Sequence, residues 1–162
     1  MLTQQRLKQV LHYNPDTGLF TRLTNIPQAK IKVGDIAGFV IENYRRIKID
    51  GVTYKAHRLV WLYIHGKWPD DVIDHINGLG DDNRLSNLRA ATKRQNSQNR
   101  RLPNKSSSTG FLGVAFNKRL GKYTSAIRID GKDIFLGVHA TPELAYGAYL
   151  NAKRKYHEFC TL

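Results

Sequence analysis

The sequence predicts an α+β fold made of small antiparallel sheets and short helices, and three observations carry that prediction. Two Asp-Gly dipeptides, Asp50-Gly51 and Asp130-Gly131, each stand between strand-like runs, the pattern of a two-residue hairpin turn in which both central residues need positive φ. Several short segments carry helix start and stop signals, among them Thr141-Pro142-Glu143 and the apolar run Leu59 to Ile64 ended by Gly66. With 41% hydrophobic and 10% aromatic residues in 162, the chain has enough apolar material for a core and is no disordered basic tail.

In chain order, Thr3 can cap a short helix with Leu7, Val10 and Leu11 on one face, and Asn14-Pro15-Asp16-Thr17-Gly18 stops it. Tyr44 to Ile49 and Val52 to Ala56 form the first hairpin, and a buried helix follows it. Val72-Ile73-Asp74-His75 and Ser86-Asn87-Leu88-Arg89-Ala90 read as two short strands around a loop rich in Asn, Gly and Asp. Thr92-Lys93-Arg94-Gln95 matches a capping box, which predicts a helix from about Lys93 to Arg100 with Asn96 in its first turns. Residues 101–108 contain Pro103 and three serines without periodicity and read as a linker between residues 1–100 and 109–159.

Beyond the linker, Phe111 to Phe116, Tyr123 to Ile129 and Lys132 to Val138 are strands, and Ala145, Ala148, Tyr149, Ala152 and Tyr156 recur at helical spacing. In the second hairpin Ile127, Ile129, Ile134 and Leu136 fall on one face for the helix to cover. Thr124, Ala126, Arg128 and Phe135 then face away.

Charge points to the class of partner. With 26 Lys+Arg against 13 Asp+Glu the net charge is +13, and both parts share it: +7 over residues 1–100 and +6 over 101–162. Polyanions are therefore favoured, with nucleic acid ahead of an anionic membrane surface. No stretch approaches the ~18 apolar residues of a membrane span, and no signal-peptide segment is visible. One cysteine, Cys160, makes neither an internal disulfide nor a thiolate zinc cluster, so a soluble protein of a reducing compartment, cytoplasmic, is expected.

The densest polar cluster is Asp74-His75-Ile76-Asn77-Gly78, with Asp81-Asp82-Asn83-Arg84, Asn87 and Gln95-Asn96 behind it. A carboxylate and carboxamides are hard oxygen ligands for Mg²⁺ or Mn²⁺, and a neighbouring imidazole can take a proton from water. On spacing alone, an ordinary tight loop ending in a strand-end histidine is the simpler account.

The order of short motifs decides between these. Ala56-His57-Arg58-Leu59-Val60-Trp61, Trp68-Pro69, Ile73-Asp74-His75-Ile76-Asn77-Gly78, Asp82-Asn83-Arg84, Ser86-Asn87-Leu88-Arg89 and Gln95-Asn96 together resemble the HNH endonucleases of phages and mobile introns, with coverage of roughly residues 10–100. The resemblance implies a ββα-metal nuclease domain over 1–100. In it Asp74 and Asn96 hold one divalent cation, Mg²⁺ with Mn²⁺ able to substitute and no zinc, His75 is the general base, and Asn87 ties the loop and orients the histidine. His57 also matches a family position, and its place at the start of a buried helix reads as structural.

Residues 108–158, with Gly113-Val114, Gly121-Lys122-Tyr123, Ala126-Ile127-Arg128, Leu136-Gly137 and Glu143-Leu144-Ala145, resemble the plant Apetala/ethylene-response DNA-binding domain, which also occurs fused to phage HNH nucleases. That resemblance implies a three-stranded sheet in the DNA major groove, with Arg128 and Phe135 at contact positions and Asp133 where plant members carry an arginine. Candidate DNA contacts are thus Arg45, Arg46 and Lys48 on the first hairpin, Arg84, Arg89, Lys93 and Arg94 around the polar cluster, and Lys118, Lys122, Arg128 and Phe135 beyond the linker. The expected activity is a homing-type endonuclease on double-stranded DNA, with no membrane and no obligate protein partner, in the host bacterial cytoplasm where the gene is phage-borne. A non-catalytic DNA-binding regulator and a nuclease acting on RNA or structured nucleic acid are the alternatives.

Overall fold

In the computed structural model, which describes residues 1–162, the chain divides into two compact units, Met1–Thr92 and Lys93–Leu162. The division falls before the 101–108 segment, so the short helix after the polar cluster belongs to the second unit. No helix is long and apolar enough to cross a membrane.

The first unit opens with α1 (Gln4–Val10), whose N-cap Thr3 accepts a hydrogen bond from the Arg6 N–H at 3.2 Å. The chain then turns directly into a hairpin of β1 (Leu11–Asn14) and β2 (Leu19–Arg22). Leu11 therefore begins a strand and does not extend the helix. A three-stranded antiparallel sheet follows, β3 (Phe39–Ile41), β4 (Tyr44–Ile49) and β5 (Val52–Lys55), in the order β3-β4-β5. The β4–β5 turn is the expected one, with Asp50 at φ 47° and Gly51 at 82°. The β3–β4 turn uses Glu42 and Asn43 at 51° and 67°, a conformation that Asn tolerates better than most residues and that carries no Gly signal.

Helix α2 (Ala56–His65) ends on Gly66 in the left-handed conformation, whose N–H bonds the Leu62 carbonyl. Its apolar face, with Leu59, Val60 and Leu62, meets Leu7, Leu11, Phe20 and Ile47 in one core, and Trp61, Tyr63 and Trp68 pack at its margin. The last elements of the unit are the antiparallel strands β6 (Val72–His75) and β7 (Leu88–Ala91), with Ile73 and Leu88 anchoring them to that core. Strand β6 thus delivers its terminal Asp74 and His75 from a fixed support.

The second unit begins with α3 (Lys93–Gln98), two residues shorter than the sequence suggests. Its sheet comprises β8 (Val114–Asn117), β9 (Lys122–Ile129) and β10 (Lys132–His139) in the order β10-β9-β8. Helix α4 (Pro142–Tyr156), capped by Thr141 with proline at its start, lies against β9 and β10. Leu112, Ile127, Tyr149 and Ala152 form this second core, with Ile129 and Leu136 beside it. Ile134, expected under the helix, is instead exposed on β10, an outer strand of the sheet, and a register shift between Phe135 and Gly137 interrupts its alternation.

The turn at Gly18 ties the N-terminal hairpin to the polar loop. At φ 73°, a Cβ on Gly18 would lie 2.4 Å from the Arg84 nitrogen and 2.6 Å from the Asn83 carbonyl carbon, both main-chain atoms. Gly51 has a similar φ of 82° with nothing within 4 Å. Gly51→Ala is therefore expected to cost only the backbone strain of about 1–2 kcal/mol, and Gly18→Ala clearly more, because the loop must also move. Urea unfolding of the two variants checks this; equal losses would show that the Gly18 contact is not constraining.

Candidate active site around His75

Strand register places the polar side chains. Asp74 pairs across the ladder with Arg89, and His75 with Leu88. Asp74 and His75 are both buried, and the Arg89 guanidinium bonds Asp74 Oδ2 through Nε and Nη2, each at 2.8 Å. A carboxylate held through one oxygen by a fork of N–H donors has a defined orientation.

His75 meets a second buried group, the Asn83 carboxamide. Its Nε2 lies 3.3 Å from Asn83 Oδ1, and Asn83 Nδ2 donates to the Asp81 carbonyl at 3.0 Å. That second bond settles which way the amide points, so an acceptor faces Nε2. Nε2 therefore carries the proton, and Nδ1 is the basic nitrogen. Burial pushes the His75 pKa below the usual histidine value, against the opposing influence of Asn83 and of the nearby Asp74, Asp82 and Asp81. The imidazole is neutral at physiological pH, the form a proton acceptor requires.

The loop between β6 and β7 is held by its own carboxamides. Asn87 Oδ1 accepts from the Asn77 N–H at 2.9 Å, and Asn87 Nδ2 donates to Asn77 Oδ1 at 3.0 Å and to the Asp82 carbonyl at 2.8 Å. Asn77 Nδ2 in turn donates to Asp82 Oδ2 at 2.7 Å. Asp82, bridged by Arg84, is lowered to about 2 and stays ionised. From the N-terminal hairpin, Tyr13 Oη donates to the Asn83 carbonyl at 2.9 Å, and burial raises the phenol to about 12, so it remains a donor.

Aromatic rings also lie beside the histidine. The His57 ring stands edge-on to His75 with centroids 5.0 Å apart, and Tyr44 lies 5.6 Å from His57 and 5.9 Å from His75. The Lys55 ammonium sits 4.8 Å above the Tyr44 ring. Asn83, Tyr13 and Tyr44 thus belong to the histidine's surroundings, and His57 is both a helix residue and a neighbour of His75. Of the first three, Asn83 carries a sequence signal in its place in the Asp82-Asn83-Arg84 motif.

The remaining candidates are dispersed. Asn96 is exposed on α3 in the second unit. Arg45 is largely withdrawn into a two-pronged ion pair with Asp81, Arg46 meets Glu42, Arg84 meets Asp82, and Arg94 meets Asp130. Lys48, Lys93, Lys118 and Lys122 are exposed. Arg128 and Phe135 share the outward face of the second sheet, as the register of Ala126 opposite Phe135 and Arg128 opposite Asp133 requires.

No three His, Cys, Asp or Glu side chains converge on one point. Asp74 brings a buried carboxylate, a hard oxygen donor of the kind that suits Mg²⁺ or Mn²⁺, to the end of β6.

Residues 54–98 match the HNH endonuclease family. The chain is also similar to Protein 3.8 of Escherichia phage T7, 35% identical over 83 residues that span 49% of this chain and 68% of the relative. No solved structure matches it.

His57 makes folding sensitive to acid. Burial, with the positive charge that His75, Lys55 and Arg58 can bring near, lowers its pKa to about 3, far below the ~6.5 of an unfolded chain. Between these values the unfolded chain binds a proton that the folded protein refuses, so stability falls as pH falls through this window. His57→Gln is expected to lower the slope by about one proton, or about 1.4 kcal/mol per pH unit. Urea midpoints at pH 6.5, 5.5 and 4.5 check this, and an unchanged slope would contradict it.

Proposed function

Because the chain belongs to the family of phage T7 Protein 3.8 and carries an HNH endonuclease domain at residues 54–98, we propose that it is a metal-dependent endonuclease of the homing type that hydrolyses phosphodiester bonds in double-stranded DNA. The observation that carries this reading is the pairing of a buried, neutral His75, its Nε2 engaged by Asn83, with the adjacent carboxylate Asp74 at the end of β6.

In this reading His75 Nδ1 takes the proton of the attacking water, and the Asn83 bond keeps the ring in the tautomer that leaves Nδ1 basic. Asp74 and Asn96 would hold a single Mg²⁺ or Mn²⁺, Asn96 standing on the helix that follows β7 in the chain. When bound, that ion supplies positive charge to the scissile phosphate and the leaving 3′ oxygen. Asn87 keeps the loop closed so that Asn83 and His75 stay in register. Arg89, besides orienting Asp74, brings a guanidinium close to where the phosphate must lie.

DNA is engaged by exposed cations that have no carboxylate partner, Lys48, Lys118 and Lys122 among them, and by the outward face of the second sheet. The second unit acts as a targeting domain of the Apetala/ethylene-response kind, with its sheet toward the major groove and α4 behind it. The net charge of +13 supports a polyanionic substrate.

Incubation of the full chain with supercoiled plasmid is expected to give nicked or linear product in Mg²⁺ and none in EDTA, with a parallel RNA substrate left intact. His75→Ala is expected to cut at least about 10²-fold more slowly while binding duplex as before. Undiminished cutting by that variant would remove His75 from the chemistry, and cleavage of RNA alone would reassign the substrate.

Asp74→Ala is expected to abolish the heat of Mn²⁺ binding in calorimetry, since Asp74 brings the only formal charge of the proposed ligand set. Unchanged metal binding would place the ion elsewhere.

A further inference from the structure

The outward face of the second sheet carries one carboxylate, and its place there calls for an explanation. Asp133 stands directly opposite Arg128 in the β9–β10 ladder. Arg128 Nε donates to Asp133 Oδ1 at 2.9 Å and Nη2 donates to Oδ2 at 3.0 Å. The side chains are 69% and 64% exposed, so the pair stands on open surface and contributes little to folding. On a face that meets phosphates, a carboxylate also opposes binding to every sequence alike.

The geometry of the pair resolves this. A guanidinium presents two edges, and the Nε/Nη2 edge is the one taken by Asp133. The tip edge, formed by Nη1 and the second Nη2 hydrogen, keeps the paired donors that match the O6 and N7 acceptors of guanine. The main chain at this point is also fixed, because His157 at the end of α4 donates from Nε2 to the Arg128 carbonyl at 3.0 Å. Ala126, the neighbour on the same face, is small enough to let a base edge approach.

We propose that Asp133 is a specificity-determining residue, which clamps Arg128 by its Nε/Nη2 edge so that the tip edge is pre-set to read a guanine in the DNA major groove. The inference rests on the reading that this sheet faces DNA. The carboxylate gives up affinity for all sequences and gains discrimination, because a guanidinium already immobilised loses less side-chain freedom when it forms the correct contact.

The test is selection of a randomised duplex library by the full chain in EDTA, which prevents cutting, with competition binding on the selected and on scrambled duplexes. Wild type is expected to enrich a guanine at one position that Arg128→Ala no longer enriches. Asp133→Ala is expected to bind scrambled duplex at least as tightly as wild type and to lose about two- to tenfold of the preference for that guanine. If Asp133→Ala keeps the whole preference, the clamp is wrong while the sheet still reads DNA. If wild type enriches no base at all, the sheet does not read sequence, and both the clamp and the targeting role fall.

Discussion

A carboxamide without access to solvent organises this molecule's polar centre. Asn83 is fully buried, and a buried amide must find partners for its oxygen and its nitrogen or forfeit the hydrogen bonds that water would give it. It finds them in His75 Nε2 and the Asp81 carbonyl, while its own carbonyl is taken by Tyr13 from the opposite end of the unit. The same few ångströms thus close the loop, join it to the N-terminal hairpin and set the proton arrangement of the histidine. The Asn77–Asn87–Asp82 bonds hold the loop in the conformation that makes this burial possible.

The basic charge of the chain has two uses. Arg45, Arg84, Arg89, Arg94 and Arg128 are each paired with an aspartate, and in the first three cases that aspartate belongs to β6 or the polar loop. These arginines fix carboxylates, and in the proposed reading Arg89 and Arg128 keep a second role toward phosphate and base. In the proposed reading the lysines on the exposed surfaces carry the long-range attraction to a polyanion. An account of binding from charge alone would count both sets as equivalent, whereas their geometry separates them.

Much of this is legible in the sequence, and the reason is local chemistry. Asp50-Gly51 and Asp130-Gly131 demand positive φ, and Thr141-Pro142 opens a helix through its cap and its fixed proline φ, so these elements lie where the sequence reads them. Asp74 and His75 end a strand, as their pattern suggests. What escaped depends on distance along the chain or on weak turns. Strand β3 has three exposed apolar residues with no alternation and a turn without glycine. The company of His75 comes from Tyr44, His57 and Asn83, which only the tertiary fold brings together. The arginines read as phosphate contacts gave no sign of their aspartate partners, because four of the five pairs join residues from two elements or an element and a loop, and the fifth, Arg84 with Asp82, closes within the loop.

The central claim is that Asn83 holds His75 as a neutral base with its proton on Nε2. Nitrogen NMR of the ¹⁵N-histidine-labelled chain at pH 7 tests it most directly. The account predicts that His75 shows one protonated and one unprotonated ring nitrogen, with the proton on Nε2, and that Asn83→Ala disturbs that tautomer. An imidazolium signal from His75, or a proton resting on Nδ1, would contradict it.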